Sequence, residues 1–263
     1  MNIFITGASS GIGNALAHEY AKRYANTQST LGLVARRSEH LQQLAAELQN
    51  QYKIICAVYS LDVRDASALE AAAQDFMQQH GTPDIVIANA GVSRGTLTAD
   101  KTDFKAIQAI FDINVMGLVY TFQPFIAAMK AAGQGQLVGV ASVAGIRGIP
   151  GSGAYSASKA AVISYCESLR TEMQHFNIAV STIAPGYIRT PMTEINQYKM
   201  PFLMNADVFA HKFANAVEAK RRYVVIPWQM GVIARVMRLI PPRLWDYLMK
   251  NTPHKKRIDW DWL

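Results

Sequence analysis

The sequence predicts an α/β protein: one doubly wound parallel sheet of about seven strands, covered by helices and continued by a helical C-terminal extension. Three observations carry that expectation. Short apolar runs alternate with longer helical patterns along most of the 263 residues. The runs are rich in Ile and Val and apolar on both faces, as strands of a helix-covered parallel sheet must be. The first run passes directly through a glycine-rich turn, TGASSGIG, into a helical pattern, an order that leaves the turn at the ligand-binding end of the sheet.

In chain order, strands are expected at 2–5, 30–34, 54–60, 84–88, 136–141, 179–184 and 223–226. Helices are expected at 11–25, 38–49, 66–79, 103–131, 154–175 and 206–219. Right-handed crossovers then wind the sheet and leave ligands at the carboxyl ends of the strands. The interval 186–205, GYIRTPMTEINQYKMPFLMN, has two prolines, three methionines and no clean period. It follows a strand on the ligand side, and a long irregular loop there suits a lid. The division expected is a domain over 1–227 and a basic, amphipathic extension over 228–263.

Half of the residues are apolar, enough for one sizeable core. Cys56 and Cys166 lie far apart in apolar contexts and read as buried thiols in a reducing, cytoplasmic compartment. The chain opens MNIFITG, already a strand, so no leader is expected. No uninterrupted apolar run reaches about eighteen residues, so no spanning helix is expected. The histidines at 18, 40, 80, 175, 211 and 254 are scattered without ligand spacing, so no metal is implied. Residues 1–219 hold 16 basic and 16 acidic side chains, whereas 220–263 hold 10 and 3, which accounts for the whole net charge of +7. A charge confined to one end belongs to that end's role and gives no reason to expect a nucleic-acid partner.

The turn at 6–13 points to a phosphate. Gly7 suits a tight turn, Gly11 lets the backbone approach a ligand, and Gly13 lets helix and strand pack closely. The free N–H groups and positive dipole end of the following helix suit a pyrophosphate. The spacing is G-x-x-x-G-x-G, not the commoner G-x-G-x-x-G. The second strand ends LVARR, where an acid holding a ribose 2′-hydroxyl is usual. Arg36 and Arg37 stand there instead. A carboxylate repels a 2′-phosphate and a guanidinium binds it, so the sequence favours NADP.

Residues 152–162, SGAYSASKAAV, set Tyr155 and Lys159 four positions apart among small side chains. On a helix the phenol and the ammonium share one face, with little bulk to block a ligand.

Several motifs now agree, and residues 1–227 resemble the short-chain dehydrogenase/reductase family, whose fold is Rossmann-like. TGASSGIG is similar to its cofactor loop, which implies contacts from Gly7, Ser9, Ser10, Gly11, Ile12 and Gly13. LDV is similar to its adenine-side segment, with Asp62 and Val63. NAG is similar to its fourth-strand motif, with Asn89, Ala90 and Gly91. PGYIRT is similar to its nicotinamide-side segment, with Pro185, Gly186, Ile188 and Thr190. Asn114 in FDINVMG, Ser142 in ASVAG, and Tyr155 with Lys159 resemble its catalytic set.

The resemblance implies an oxidoreductase that interconverts a carbonyl and a secondary alcohol with NADP(H). Tyr155 would be the acid or base, and free tyrosine titrates near pH ~10. A nearby Lys159 ammonium and the positive nicotinamide ring of the oxidised cofactor would favour phenolate and lower that value. Lys159 would also hold the nicotinamide ribose, Ser142 the substrate oxygen, and Asn114 a water leading to solvent. The alternative is an NADP(H)-binding sensor without turnover, which has no need of an intact Asn–Ser–Tyr–Lys set. The resemblance also implies a dimer or tetramer built on the helices at 103–131 and 154–175. Met192, Met200, Phe202, Leu203 and Met204 in the lid tilt the substrate toward the hydrophobic or lipid-like.

The extension reads WQMGVIARVMRLIPPRLWDYLMK over 228–250. Met230, Ile233, Val236, Met237 and Ile240 are expected on one side of a helix, and Leu244, Trp245, Leu248 and Met249 on a second. Lys255, Lys256 and Arg257 follow, then Trp260 and Trp262. Apolar faces with Trp and a basic rim suit peripheral contact with the anionic inner face of a membrane.

Overall fold

The computed structural model describes residues 1–196, 198–257 and 260. Seven strands form a parallel sheet in the order β3-β2-β1-β4-β5-β6-β9. They are β1 (Asn2–Thr6), β2 (Thr30–Ala35), β3 (Ile55–Ser60), β4 (Ile85–Ala88), β5 (Gly135–Val140), β6 (Ile178–Pro185) and β9 (Tyr223–Ile226). Every neighbouring pair is parallel. The order reverses between β1 and β4, where a doubly wound sheet opens a crevice.

The two faces are covered by separate sets of helices. On one face α1 (Gly11–Arg23), α2 (Ser38–Tyr52) and α8 (Ala206–Glu218) bury Leu16, Leu41, Leu48, Phe209 and Phe213 against Ile3, Ile5, Leu31 and Leu33. On the other α3 (Ala66–His80), α5 (Gly117–Ala132) and α6 (Gly153–Met173) bury Phe76, Phe122, Phe125 and Val162 against Phe4, Val86 and Leu137. The strands are apolar on both sides because both sides meet helix, which is the alternation expected from sequence.

One expected element is divided. In place of a single helix over 103–131 the chain forms a 3₁₀ turn at Lys101–Asp103, α4 (Phe104–Phe111), a π-helical turn at Asp112–Met116, and α5. The wide turn carries Asn114 and rotates its side chain onto the loop after β4, where Val92 N–H donates to Oδ1 at 2.8 Å and Nδ2 donates to Val92 O at 3.0 Å. By length and composition the stretch Lys101–Ala132 could cross a membrane, and half of its most apolar window is buried inside the protein. Its inward side chains, Leu118, Phe122, Phe125 and Met129, belong to the core.

The segment 186–205 is less irregular than expected. It holds β7 (Ile188–Arg189), the short α7 (Pro191–Glu194) and β8 (Met204–Asn205), and β7 pairs with β8, so its two ends are tied together. The extension folds as α9 (Trp228–Leu239) and α10 (Pro242–Met249). The apolar side of α9 expected to meet a membrane is divided between the body and solvent. Met230 and Ala234 are buried, whereas Val236 is more than half exposed. Trp228, Val232, Val236 and Leu239 line the outward side of α9, with Leu244, Tyr247 and Leu248 exposed on α10. Trp262 lies outside the described residues.

Candidate functional site

A cleft of about 500 Å³ runs along the carboxyl ends of the central strands. It begins at the turn after β1, where Gly7, Ser9, Ser10, Gly11 and Ile12 line it. Gly7 and Gly11 have φ of 72° and 56°, a conformation that excludes most side chains. Gly13 stands behind the turn and does not line the cleft. A Cβ there would lie 2.1 Å from the Gly7 carbonyl oxygen, so the glycine is what lets α1 start against the turn. The Ser10 side chain makes no capping bond at the start of α1, which leaves the first-turn N–H groups directed at the cleft.

At one edge the cleft is lined by Ala35, Arg36 and Arg37 from the end of β2 and by Leu61, Asp62 and Val63 after β3. Arg36 Nη1 lies 3.8 Å from Asp62 Oδ2, and Arg64 lies 2.8 Å from the same oxygen. Arg37 Nη2 donates to Ser9 Oγ at 3.1 Å, which links the basic edge to the glycine turn. Asp62 is drawn below the usual carboxylate range: burial pushes it up, and hydrogen bonds from Arg64 together with the charge of Arg36 outweigh that push.

In the middle, Asn89, Ala90, Gly91 and Val92 follow β4. Asn89 Nδ2 donates to Thr6 O at 3.0 Å and ties this loop to the turn after β1. On the far side Pro185, Gly186, Ile188 and Thr190 line the cleft, joined by Pro191, Met192 and Thr193 from the start of α7.

The other end is formed by Ser142, Tyr155 and Lys159. Ser142 follows β5, and its Oγ accepts from Ala144 N–H at 3.2 Å. Tyr155 and Lys159 sit one turn apart near the start of α6. Lys159 is 4 % exposed, and its Nζ donates to Val140 O at 2.9 Å. The same Nζ lies 6.0 Å from the Tyr155 ring centre. Burial pushes Lys159 down to about 8. Burial also pushes the Tyr155 phenol up, against a hydrogen bond with Ser142 that pulls it down. The expectation of a lowered phenol combines Lys159 with the ring of an oxidised cofactor; in the protein by itself the phenol is raised. Burial outweighs the Ser142 hydrogen bond at Tyr155 and also lowers Lys159, because it favours the neutral form of each group.

Asn114 does not line the cleft. It is 1 % exposed, and besides Val92 its Nδ2 donates to Ser158 Oγ at 3.0 Å. It stands directly behind Gly91 and Lys159: a Cβ on Gly91 would lie 3.2 Å from Asn114 Oδ1 and 3.4 Å from Lys159 Nζ. The structure therefore brings the expected residues to one cleft, with Gly13 and Asn114 in its supporting wall. Sequence reading missed Ala35, Leu61, Val92, Ile113, Val140 and Ala141, apolar residues with no chemical signal of their own. It also missed Thr193, whose Oγ1 accepts from Thr190 N–H at 3.0 Å and which nothing in the motif marks.

Comparison with known proteins gives a consistent picture. The profile of the family described as short chain dehydrogenase matches residues 1–200. An uncharacterized oxidoreductase from Myxococcus xanthus is 35% identical over 242 residues, covering 92% of this chain and 93% of that protein. Among solved structures, a short-chain dehydrogenase from Sphingobium yanoikuyae in complex with NADPH superposes with a TM-score of 0.78 at 24% identity, covering 98% of each chain. A short-chain dehydrogenase/reductase from Burkholderia phymatum in complex with NAD has a TM-score of 0.78 at 22% identity, covering 98% of this chain and 97% of that one.

Proposed function

The chain belongs to the short-chain dehydrogenase/reductase family of nicotinamide-dependent oxidoreductases, and we propose that it interconverts a carbonyl and a secondary alcohol with NADP(H). The observation that carries this reading is one cleft with a glycine turn at one end and Ser142, Tyr155 and Lys159 at the other.

The residues present fit a dinucleotide. Bare glycines and unpaired helix N–H groups form a cradle for a pyrophosphate. Arg36 and Arg37 lie at the edge where a ribose 2′-phosphate would fall, which favours NADP over NAD. Asp62 and Val63 would bound the adenine side, Lys159 would hold the nicotinamide ribose, and Ile188 and Thr190 would border the nicotinamide. When bound, the cofactor supplies or accepts the hydride. The protein's part is the proton and the oxygen. Tyr155 gives a proton to the carbonyl oxygen in reduction and takes it back in oxidation. Burial holds that proton on the phenol, the form needed for reduction. Ser142 donates to the same oxygen and stabilises the charge that develops there. Asn114 fixes the wall formed by Gly91, Val92 and Ser158, the place from which a water could reach Lys159.

Met192, Phe202 and Leu203 are partly exposed on the segment beside the cleft and favour a hydrophobic substrate. Exposed Phe104, Phe111 and Met116 on the α4–α5 stretch support an oligomer, dimer or tetramer, that covers them. The outward apolar side of α9 and α10 supports peripheral contact of a cytoplasmic enzyme with the inner face of a membrane. The binding-only alternative gains no support from the cleft. The deciding experiment is a turnover screen of carbonyls and alcohols with both nicotinamide cofactors. NADPH oxidation that depends on a carbonyl supports the reading, and NADPH binding without turnover of any compound overturns it.

A further inference from the structure

The last described residues return beside the Tyr155 end of the cleft, next to the residues that line it. Residues 254–257 run between the loop after β4 and the turn before α6. Gly95 N–H donates to Lys256 O at 2.9 Å. A Cβ on Gly95 would lie 2.0 Å from Lys255 O, and one on Gly151 would lie 2.6 Å from His254 Cβ, so both flanking segments give way to the strap. Arg257 pairs with Asp100 and, at 2.9 Å, with Asp103. Asp103 is fully buried and also holds Arg94 at 2.9 Å. The Arg94 guanidinium in turn faces the Trp260 ring at 5.6 Å. The expected basic rim is therefore not a free lipid-facing cluster, since two of its three members are turned onto the body.

Lys255 is the member that points inward. Its Nζ donates to Ser93 Oγ at 2.8 Å and lies 5.8 Å from the Tyr155 ring centre. The carboxylates nearby are already engaged, Asp103 by Arg94 and Arg257 and Asp100 by Arg257. Among the described residues no acid faces Lys255. Burial pushes its ammonium down to about 8, so at neutral pH it is still mostly charged. Lys255 is only partly buried, and its ammonium has three donors. One goes to Ser93, and the remainder have no acceptor among the described residues. A partly buried ammonium with donors to spare favours an anion as its further partner.

We infer that Lys255 is a specificity-determining residue that binds an anionic group of the substrate, a carboxylate, sulfonate or phosphate carried a few bonds from the reacting carbon. The inference rests on the oxidoreductase reading above and narrows its substrate: charged at the end held by Lys255 and Ser93, apolar where the 186–205 segment covers it. The strap supplies this charge from outside the catalytic motifs, and its ion pairs with Asp100 and Asp103 fix where the charge stands.

The test is NADPH-dependent reduction of a series of oxo acids of increasing chain length, each measured beside its neutral methyl ester. The wild type is expected to show a KM for the best oxo acid lower than for its ester by about tenfold or more, the worth of one charge-assisted contact. Lys255→Met should raise the KM for the acid far more than for the ester, and Lys255→Arg should retain most of the preference. Equal KM values for acid and ester in the wild type, or an acid preference that survives Lys255→Met, overturns the assignment while leaving the oxidoreductase reading intact. If neither form is reduced in any member of the series, the Lys255 assignment falls, and the oxidoreductase reading falls with it only if the wider screen of carbonyls and alcohols is also without turnover.

Discussion

At the scale of single residues, the proposed chemistry concentrates in the first two turns of α6. Tyr155→Phe removes the transferable proton and leaves the ring in place. Turnover should fall by roughly 10²–10⁴-fold or more, with NADPH affinity, read by fluorescence titration, little changed; near-normal turnover would refute the role. Arg36→Asp should weaken NADPH by about 2 kcal/mol, roughly 30-fold, and improve NADH relative to it; a wild type that already prefers NADH contradicts the reading. The two depressed lysines also make a stability prediction. Lys159 and Lys255 lie at about 8 in the folded protein, against 10.5 for an ordinary lysine. The unfolded chain therefore binds more protons over that window, and stability rises with pH through it. Burial raises Cys56 and Cys166 from 9 to about 12, which acts in the opposite sense above pH ~9. The melting temperature should thus rise between pH ~8 and ~9, and less so in Lys255→Met. Ser142, Tyr155 and Lys159, proposed above as catalytic, were legible in sequence because they stand in short motifs of small neighbours, ASVAG and SGAYSASKAAV, whereas Asn114 in FDINVMG is picked out by the family resemblance alone. Lys255 was not legible, because in sequence it is one of three consecutive cations, and only the fold turns it inward.

At the scale of elements, strands and most helices were legible because helices cover both sheet faces and make the strand runs continuous. What sequence periodicity could not show is the wide turn at Asp112–Met116. The apolar pattern persists through it, and only the backbone reveals the extra residue that aims Asn114 at Val92. Such turns recur at functional positions. The α1–β1 junction gives the clearest element-level test. Gly13→Ala places a Cβ against the Gly7 carbonyl and must push α1 outward. Such overpacking costs about 1–3 kcal/mol, so the melting temperature should drop by roughly 2–4 °C per kcal/mol, with weaker NADPH binding. A variant that melts and binds as the wild type does would show that the turn tolerates the displacement. The 186–205 segment was expected as a loop, since two-residue strands such as β7 and β8 leave no readable period.

At the scale of the whole molecule, the division of charge was plain in the sequence, but its use was not. Lys255 and Arg257 are committed to the strap, while Arg235, Arg243 and Lys250 stay exposed beside the outward apolar side of the extension. If that side meets lipid, Trp228→Asp and Leu239→Asp, at positions 71% and 82% exposed, should abolish co-sedimentation of the full-length chain with anionic vesicles while leaving its fold unchanged by circular dichroism. Pelleting that persists in both variants would leave the extension as an assembly surface, to be sought by light scattering.

The reversal of strand order between β1 and β4 has a consequence in time. Asn89 reaches back to Thr6 across 83 positions, and all the pairings within the seven-stranded sheet are parallel and non-local. Contacts of that kind form slowly, whereas helices form early. A refolding chain should therefore regain most of its helical circular dichroism well before it can quench NADPH fluorescence, and species halted midway should be inert toward the nucleotide. Only when the crevice between β1 and β4 has closed do the glycine turn, Lys159 and the strap stand in one place, so competence to bind is itself a late marker of native topology.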